Sequence, residues 1–201
     1  MKKIIYLADL MHNDFGLAKS TTPLGIGTIG SYVLHKYGQE NGIEVRLFRI
    51  FDDLDNAVRE KKPDILALSN YAWNENLTSA AFRYFKKLCP DAVFVTGGGN
   101  ISVEGWEESY KPREKDRPLV RFSKKQDMEV FRIMPEVDFL VHGFGEYPFA
   151  NIVEKVLGAR SNASLKGVKI DGCTGFHDGE IITGKPIPTI LNLDEYPSPY
   201  I

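Results

Sequence analysis

The chain has 201 residues, of which 43% are hydrophobic and 26% charged, and its formal net charge is −2. This composition is typical of a soluble globular protein, and the length suits one good-sized domain with an appendage. The slightly acidic balance argues against nucleic-acid binding through phosphates, and apolar runs such as 65–68 and 92–95 are far too short to span a membrane.

Two cysteines, Cys89 and Cys173, are far apart in sequence. This excludes a disulfide framework and a metal site made of cysteines alone within this chain. The amino terminus meets acid at Asp9 and has no small-residue cleavage site, which favours a first strand over a signal peptide. Together these features predict a cytoplasmic protein with free thiols.

A β-α pattern occurs five times along the chain. The short apolar segments 3–8, 44–50, 65–69, 92–96 and 138–142 predict buried strands, and amphipathic or capped segments between them predict helices. Strands buried on both faces and alternating with helices predict an α/β fold. We expect a flavodoxin- or Rossmann-like parallel sheet of five strands with helices on both faces.

The pattern changes after Gly158. Segments 167–173 and 180–183 flank Asp178-Gly179, a strong signal for a β-hairpin. Residues 192–201 are extended and proline-rich, as in a linker that leads to a further domain.

The resulting division of the chain has two parts. We expect an α/β domain over 1–160, in which the charged stretch at about 103–127 is a surface insertion. The hairpin and linker are expected over 161–201.

Loops at the predicted strand ends indicate where a ligand binds. In sheets of this kind, ligands lie beyond the carboxyl ends of the strands. Three of the five loops that leave those ends are rich in Gly, Asn or Ser. Backbone amides and small polar side chains there suit a large, mostly neutral ligand that approaches the backbone closely.

The hexapeptide 25–30 reads G-x-G-x-x-G, the pattern of a dinucleotide-binding turn. In such sites the pattern follows the first strand directly, whereas here a long loop separates it from Ala8. Asp52 has the spacing of the acid that binds the ribose, about 20 residues further on. Pro23 suggests that the glycines lie inside a helix already begun, where they permit close packing. A nucleotide-binding oxidoreductase domain is therefore the weaker alternative.

Several motifs in order resemble the cobalamin-binding domain at the N-terminus of many radical S-adenosylmethionine (SAM) enzymes. They lie at 23–25, 62–64, 96–102, 141–146 and 166–199. Two positions depart from the family pattern: Gly99 stands where proline is usual, and Phe144 replaces the first glutamate of a Gly-Glu-Gly-Glu signature. Each motif alone is weak, but their order and spacing cover nearly the whole chain.

The resemblance implies a flavodoxin-like domain that binds cobalamin with the corrin over the strand ends. It also implies a following barrel with a 4Fe–4S cluster and SAM. The three-cysteine motif for that cluster is absent here, so both cofactors are expected only in a C-terminal domain outside this sequence. The chain would then be a non-catalytic part of a radical SAM enzyme, such as a methyltransferase. Its partners would be its own radical SAM domain and a small-molecule substrate, not nucleic acid or a membrane.

The residues expected to line the cobalamin site come from the strand-end loops and from the start of the first helix. Glycines there would permit close approach of the backbone, and Ser69, Asn74 and Asn100 would form hydrogen bonds. The set is Leu24, Gly25, Ser69, Asn70, Asn74, Gly97, Gly98, Gly99, Asn100, Gly143, Gly145 and Glu146.

No catalytic residue and no metal ligand are predicted, because the sequence shows no acid–base pair, nucleophile triad or metal-ligand cluster. His12 lies in a strand-end loop but lacks the Asp-x-His-x-x-Gly spacing of a lower axial ligand to cobalt, which favours a solvated position. His142 ends a predicted strand, and a packed position is favoured for it. The other alternative is a domain of the same fold that binds no cofactor and docks a substrate or partner.

Overall fold

The fold was analysed in a computed structural model, which describes residues 2–12, 23–38, 42–101, 103–104, 121–187, 194 and 196–200. Nine strands occur in these ranges, and seven of them form one sheet in the order β2-β1-β3-β4-β7-β8-β9. The strands are β1 Ile4–Ala8, β2 Glu44–Phe48, β3 Ile65–Ser69, β4 Val93–Gly97, β5 Val103–Glu104, β6 Arg121–Phe122, β7 Phe139–Val141, β8 Cys173–His177 and β9 Glu180–Thr183.

The predicted parallel sheet of five strands is confirmed by β1, β2, β3, β4 and β7, which pair in parallel. The predicted hairpin is also present, but it is not a separate appendage. Its strand β8 pairs antiparallel with β7, with Leu140 opposite Thr174, and β9 pairs with β8. The hairpin thus extends the sheet to seven strands.

Five α-helices in the described part of the chain pack on the two faces of the sheet. They are α1 Leu24–Val33, α2 Phe51–Glu60, α3 Glu75–Leu88, α4 Lys124–Ile133 and α5 Glu146–Gly158. A π-helical turn, Leu34–Gly38, continues α1, and a 3-10 turn, Asn162–Leu165, follows α5. Apolar residues of α2, α3 and α4 form one core cluster with the sheet, and those of α1 and α5 form the other. No helix in the described ranges is long and apolar enough to cross a membrane.

Strand β1 shows why its sequence is a continuous apolar run. Ile4, Tyr6 and Ala8 belong to the cluster on the α2–α4 face, whereas Ile5 and Leu7 belong to the cluster on the α1–α5 face. All five are buried. Since alternate side chains of a strand point to opposite faces, a strand covered on both sides needs apolar residues at every position.

The strand order places a topological switch point between β1 and β3. The connection from β1 to β2 runs through α1 on one face, and the connection from β2 to β3 runs through α2 on the other. A crevice opens at the carboxyl ends of the strands where the winding reverses. Helix α1 and the β3–α3 loop border this crevice.

The glycines of the hexapeptide serve packing. A Cβ atom added to Gly30 would lie 3.3 Å from Val45 Cγ1 and 3.4 Å from Leu7 Cδ1, so this glycine brings α1 close to the sheet. A Cβ atom on Gly27 would lie 3.2 Å from Pro199 Cβ. The hexapeptide therefore seats α1 between the sheet and the chain's last described segment.

That last segment lies against α1 and α5. The Tyr196 ring lies 5.9 Å from the ring of Tyr32 and 6.2 Å from that of Tyr147. The Ser31 hydroxyl also donates to the Pro197 carbonyl at 3.1 Å. The predicted linker therefore packs against α1 and α5 at Tyr196 and Pro197.

Part of the predicted insertion, residues 105–120, lies outside the described residues. Strands β5 and β6 pair with each other as an antiparallel ribbon at its base. Residues 124–127, the last of the predicted insertion, begin α4. The domain boundary near 160 stays a prediction.

Candidate functional site

A cavity of about 240 Å³ opens at the switch point, at the carboxyl ends of β1, β3, β4 and β7. Half of the residues predicted for the site line this cavity. They are Gly25, Ser69, Gly97, Gly98, Gly143 and Gly145. The strand-end loops chosen from the sequence therefore contribute to this cavity at the carboxyl edge of the parallel strands.

The cavity is apolar and uncharged. Every residue that lines it within the described part of the chain is neutral, and the walls are largely aliphatic or aromatic. A site for a dinucleotide binds its pyrophosphate at a helix N-terminus that follows the first strand directly. The neutral walls here suit an apolar or amide-bearing group better than a polyphosphate.

Two glycines at the end of β4 allow the strand-end loops to touch. Gly98 has φ of +120°, and a Cβ atom on it would lie 2.7 Å from the Asn70 carbonyl oxygen. A Cβ atom on Gly97 would lie 3.2 Å from Val141 Cβ. Since a side chain is excluded at Gly98 and would crowd Val141 at Gly97, the loops after β3, β4 and β7 can converge on one cavity.

The buried amide of Asn70 joins the loops after β3 and β4. Its side-chain oxygen accepts a hydrogen bond from Asn100 Nδ2 at 3.0 Å, and its carbonyl accepts one from the Asn100 amide at 3.1 Å. Neither residue lines the cavity. Their described hydrogen bonds hold the loop that contains Gly98.

A second hydrogen-bond network joins the loops after β1 and β3. Ser69 Oγ donates to Asp9 Oδ1 at 2.5 Å, and the side chain of Asn74 donates to the Leu10 carbonyl at 3.1 Å and accepts from the Tyr71 amide at 2.8 Å. Asn74 is buried and does not line the cavity, so its amide supports the wall from behind. Ser69 takes part in this network and also lines the cavity.

Aromatic and apolar side chains form an exposed rim, defined here as Leu24, Trp73 and Phe144. Their side chains are 54%, 61% and 65% exposed. The Trp73 ring stacks on Tyr71 with ring centroids 4.5 Å apart and planes 9° apart, and Tyr71 and Phe144 line the cavity. Burial, and to a smaller degree the Asp9 carboxylate, raises the pKa of Tyr71, so its hydroxyl stays protonated at neutral pH.

Glu146 begins α5 next to the cavity-lining Gly145, but it does not itself line the cavity. A carboxylate in the first turn of a helix is favoured by the helix dipole. Its Oε2 atom is buried and has no hydrogen-bond partner among the described residues.

No histidine lines the cavity in the described part of the chain. His12 is exposed, as expected for a solvated loop residue. His142 is packed, as expected: its Nε2 lies 2.9 Å from Thr174 Oγ1 and 3.4 Å from Asp127 Oδ2. The described residues also hold no cluster of three or more acidic, His or Cys side chains suited to a metal ion.

The remaining predicted residues lie around the cavity. Leu24 is on the rim, and Gly99 lies against Tyr71, because a Cβ atom on it would be 3.4 Å from that ring. The sequence analysis missed much of the wall: Ile26, Ile29, Tyr71, Thr96, Phe144 and Phe149. Tyr71 follows Asn70 in a strand-end loop, and this position could have identified it as a wall residue. The aliphatic side chains of Ile26 and Ile29 have the spacing of ordinary core residues.

Comparison with known proteins gives two sequence relatives. The chain is 30% identical over 140 residues to the 2-(S-pantetheinyl)-carbapenam-3-carboxylate methyltransferase of Streptantibioticus cattleyicolor, covering 69% of this chain. It is 28% identical over 141 residues, 70% of this chain, to the cobalamin-dependent radical SAM methyltransferase TokK of Streptomyces tokunonensis. The matches span 17% of the length of each relative. No family model matches the chain.

Among solved structures, the fold is similar to that of OxsB, a cobalamin-dependent SAM radical enzyme solved with aqua-cobalamin and SAM bound. The TM-score is 0.66 at 16% identity, and the match covers 97% of this chain and 24% of OxsB. At this identity the likeness shows the fold.

Proposed function

We propose, from the premise that this chain is related in sequence to cobalamin-dependent radical SAM methyltransferases, that it binds cobalamin at the switch-point cavity. The observation that carries the proposal is the neutral, glycine-lined cavity at the strand ends of a fold shared with OxsB. The sequence relationship confirms the family resemblance that the motifs indicated.

The chemistry of the cavity fits cobalamin. The corrin ring is a broad, largely apolar plate edged with neutral amide groups, and cobalamin also has a nucleotide tail. The uncharged, largely aliphatic and aromatic walls suit the apolar parts. Glycines 97, 98, 143 and 145 line the cavity with backbone alone.

The size of the cavity determines how the chain would hold this cofactor. Pockets that enclose a drug-sized ligand have volumes of about 300–1,000 Å³, whereas this cavity has about 240 Å³. It therefore takes only a part of cobalamin, such as the base of the nucleotide tail. The rim of Leu24, Trp73 and Phe144 then supplies exposed apolar surface for the corrin.

The residues of the chain contribute binding and orientation. When bound, cobalamin supplies a cobalt atom that can carry a methyl group. Ile26, Ile29 and Phe149 exclude water from the cavity, and the Ser69–Asp9–Asn74 network fixes the loops after β1 and β3. No described histidine in the wall provides an axial ligand to cobalt.

The whole protein is proposed to be a radical SAM enzyme, such as a methyltransferase that acts on a small molecule. The chain spans about a sixth of its relatives, so the 4Fe–4S cluster and SAM are assigned to a C-terminal domain beyond it. The names of the two relatives support a methyltransferase, and one of them names radical SAM chemistry. The coding sequence beyond residue 201 tests this: a Cys-x3-Cys-x2-Cys motif is expected, and its absence from the following domain contradicts the assignment.

Binding is tested by mixing the purified chain with hydroxocobalamin, removing the excess and recording the visible spectrum. The wild type should retain about one cobalamin per chain. Ala67 lines the cavity, and Ala67→Phe should fill it and abolish retention without unfolding the chain. Ala163→Phe, at an exposed position in the 3-10 turn, is the matched control and should retain cobalamin.

The outcomes separate the alternatives. Loss of cobalamin from the wild type would contradict the proposal and favour a cofactor-free docking domain. Retention of NAD or a flavin that Ala67→Phe abolishes would favour an oxidoreductase domain.

A further inference from the structure

A buried polar cluster lies on the face of the sheet opposite the cavity. It is made of Asp127 from α4, His142 after β7 and Thr174 from β8. Their exposures are 1%, 3% and 0%. His142 Nε2 lies 3.4 Å from Asp127 Oδ2 and 2.9 Å from Thr174 Oγ1. The histidine ring thus joins a helix and two strands.

The His142 ring is the ionisable group that lies against Asp127. Neither carboxylate oxygen of Asp127 has a hydrogen-bond partner within the described ranges. An uncompensated carboxylate is costly to bury, so its environment must supply a compensating group. The imidazole 3.4 Å away is the ionisable group that faces this carboxyl, so a change at either residue alters the contact between α4 and the end of β7.

The same histidine fixes the start of a cavity loop. Its amide donates to the Gly172 carbonyl at 3.1 Å. The next residue is Gly143, with φ of +67°, and residues 143–145 all line the cavity. Leu140 belongs to the core on the α4 face, whereas Val141 belongs to the other core and lines the cavity. By strand alternation, His142 faces α4.

We propose that Asp127 and His142 are positioning residues for the cofactor loop Gly143–Gly145. The contact between Asp127 of α4 and His142 fixes the end of β7 from the face opposite the cavity. This contact sets the direction in which the loop leaves the strand. The helix directly follows β6 of the inserted ribbon. The inference rests on the proposed function only for the identity of the ligand.

The first test needs no ligand. Phe144 is exposed, so chymotrypsin can cut after it, and mass spectrometry identifies the fragments that result. Cleavage at this bond should be on the order of tenfold faster in Asp127→Asn than in the wild type, because local opening becomes more populated. Cleavage at the wild-type rate would overturn the proposal, whether or not the chain binds cobalamin.

A matched control is available within the chain. His177 Nε2 and Asp178 Oδ2 are also 3.4 Å apart, but the Asp178 side chain is 87% exposed at the tip of the hairpin. Asp178→Asn makes the same chemical change and should leave cleavage after Phe144 unaltered. An equal acceleration in this control would show a general effect of charge and overturn the proposal.

The second test measures cobalamin affinity at a temperature where circular dichroism shows each variant folded. Asp127→Asn should bind hydroxocobalamin about tenfold more weakly, and Asp178→Asn should bind as the wild type does. Thr174→Val keeps both Asp127 and His142 and should cause a smaller loss of affinity, so it serves as the test variant if Asp127→Asn does not fold. Wild-type affinity in folded Asp127→Asn overturns the link to the site. A wild type that binds no cobalamin refutes the proposed function, and the cleavage assay still decides the role of the loop.

Discussion

Gly98→Ala is the sharpest test of how the strand-end loops are held together. The new Cβ atom would lie 2.7 Å from the Asn70 carbonyl oxygen, on a backbone with φ of +120°. A side chain in so sparsely populated a conformation costs about 1–3 kcal/mol. The contact also displaces the carbonyl that accepts from the Asn100 amide at 3.1 Å, and loss of that bond costs about 1 kcal/mol.

The expected loss is therefore about 2–4 kcal/mol, which lowers the unfolding midpoint by about 5–15 °C in a chain of this length. Thermal unfolding followed by circular dichroism measures it. Gly179→Ala is the control for backbone strain, because Gly179 has φ of +82° but no atom within 4 Å of its added Cβ. Gly179→Ala should lower the free energy of unfolding by about 1 kcal/mol. If Gly98→Ala lowers the midpoint no more than Gly179→Ala does, the contact with Asn70 is not what requires glycine there.

Three further variants or reagents test other parts of the structure. Gly30→Val should lower the free energy of unfolding by about 1–3 kcal/mol, because it forces α1 off the sheet; a stable variant that loses ligand instead would restore a binding role for the hexapeptide. Asn74→Ala should lower the free energy of unfolding, measured with denaturant, by about 2–3 kcal/mol, because it removes the hydrogen bonds to Leu10 and Tyr71. A decrease below about 0.5 kcal/mol would contradict the role of Asn74 as a support of the loops. Burial raises the pKa of the Cys89 thiol to about 11 and also raises the pKa of the Cys173 thiol. At pH 8 both thiols should therefore react with a thiol reagent only after the chain unfolds. Rapid labelling of the native chain would contradict their burial.

Much of the fold was predictable because the physical signals are local. Continuous apolar runs such as β1 identify strands covered on both faces, and Asp178-Gly179 identifies a hairpin turn. The partner of that hairpin was not predictable. The free edge of β7 could have stayed open or been covered by another segment, and only the tertiary packing decides that β8 pairs with it.

The loops around the candidate cavity were predictable, but the directions of their side chains were not. Position in the α/β pattern placed the loops at the carboxyl edge of the parallel strands, and close approach of the backbone explains their glycines. The sequence could not show that the amides of Asn70 and Asn74 bond within the protein, because the direction of a loop side chain depends on its neighbours in space. Ile26, Ile29 and Phe149 line the cavity but have the spacing of core residues, so periodicity cannot distinguish them.

Equilibrium dialysis of the wild-type chain against hydroxocobalamin, with NAD in a parallel cell, tests the central claim most directly. The account predicts about one bound cobalamin per chain, no retained NAD, and loss of the cobalamin in Ala67→Phe. Absence of cobalamin binding, or NAD binding that Ala67→Phe abolishes, would contradict it.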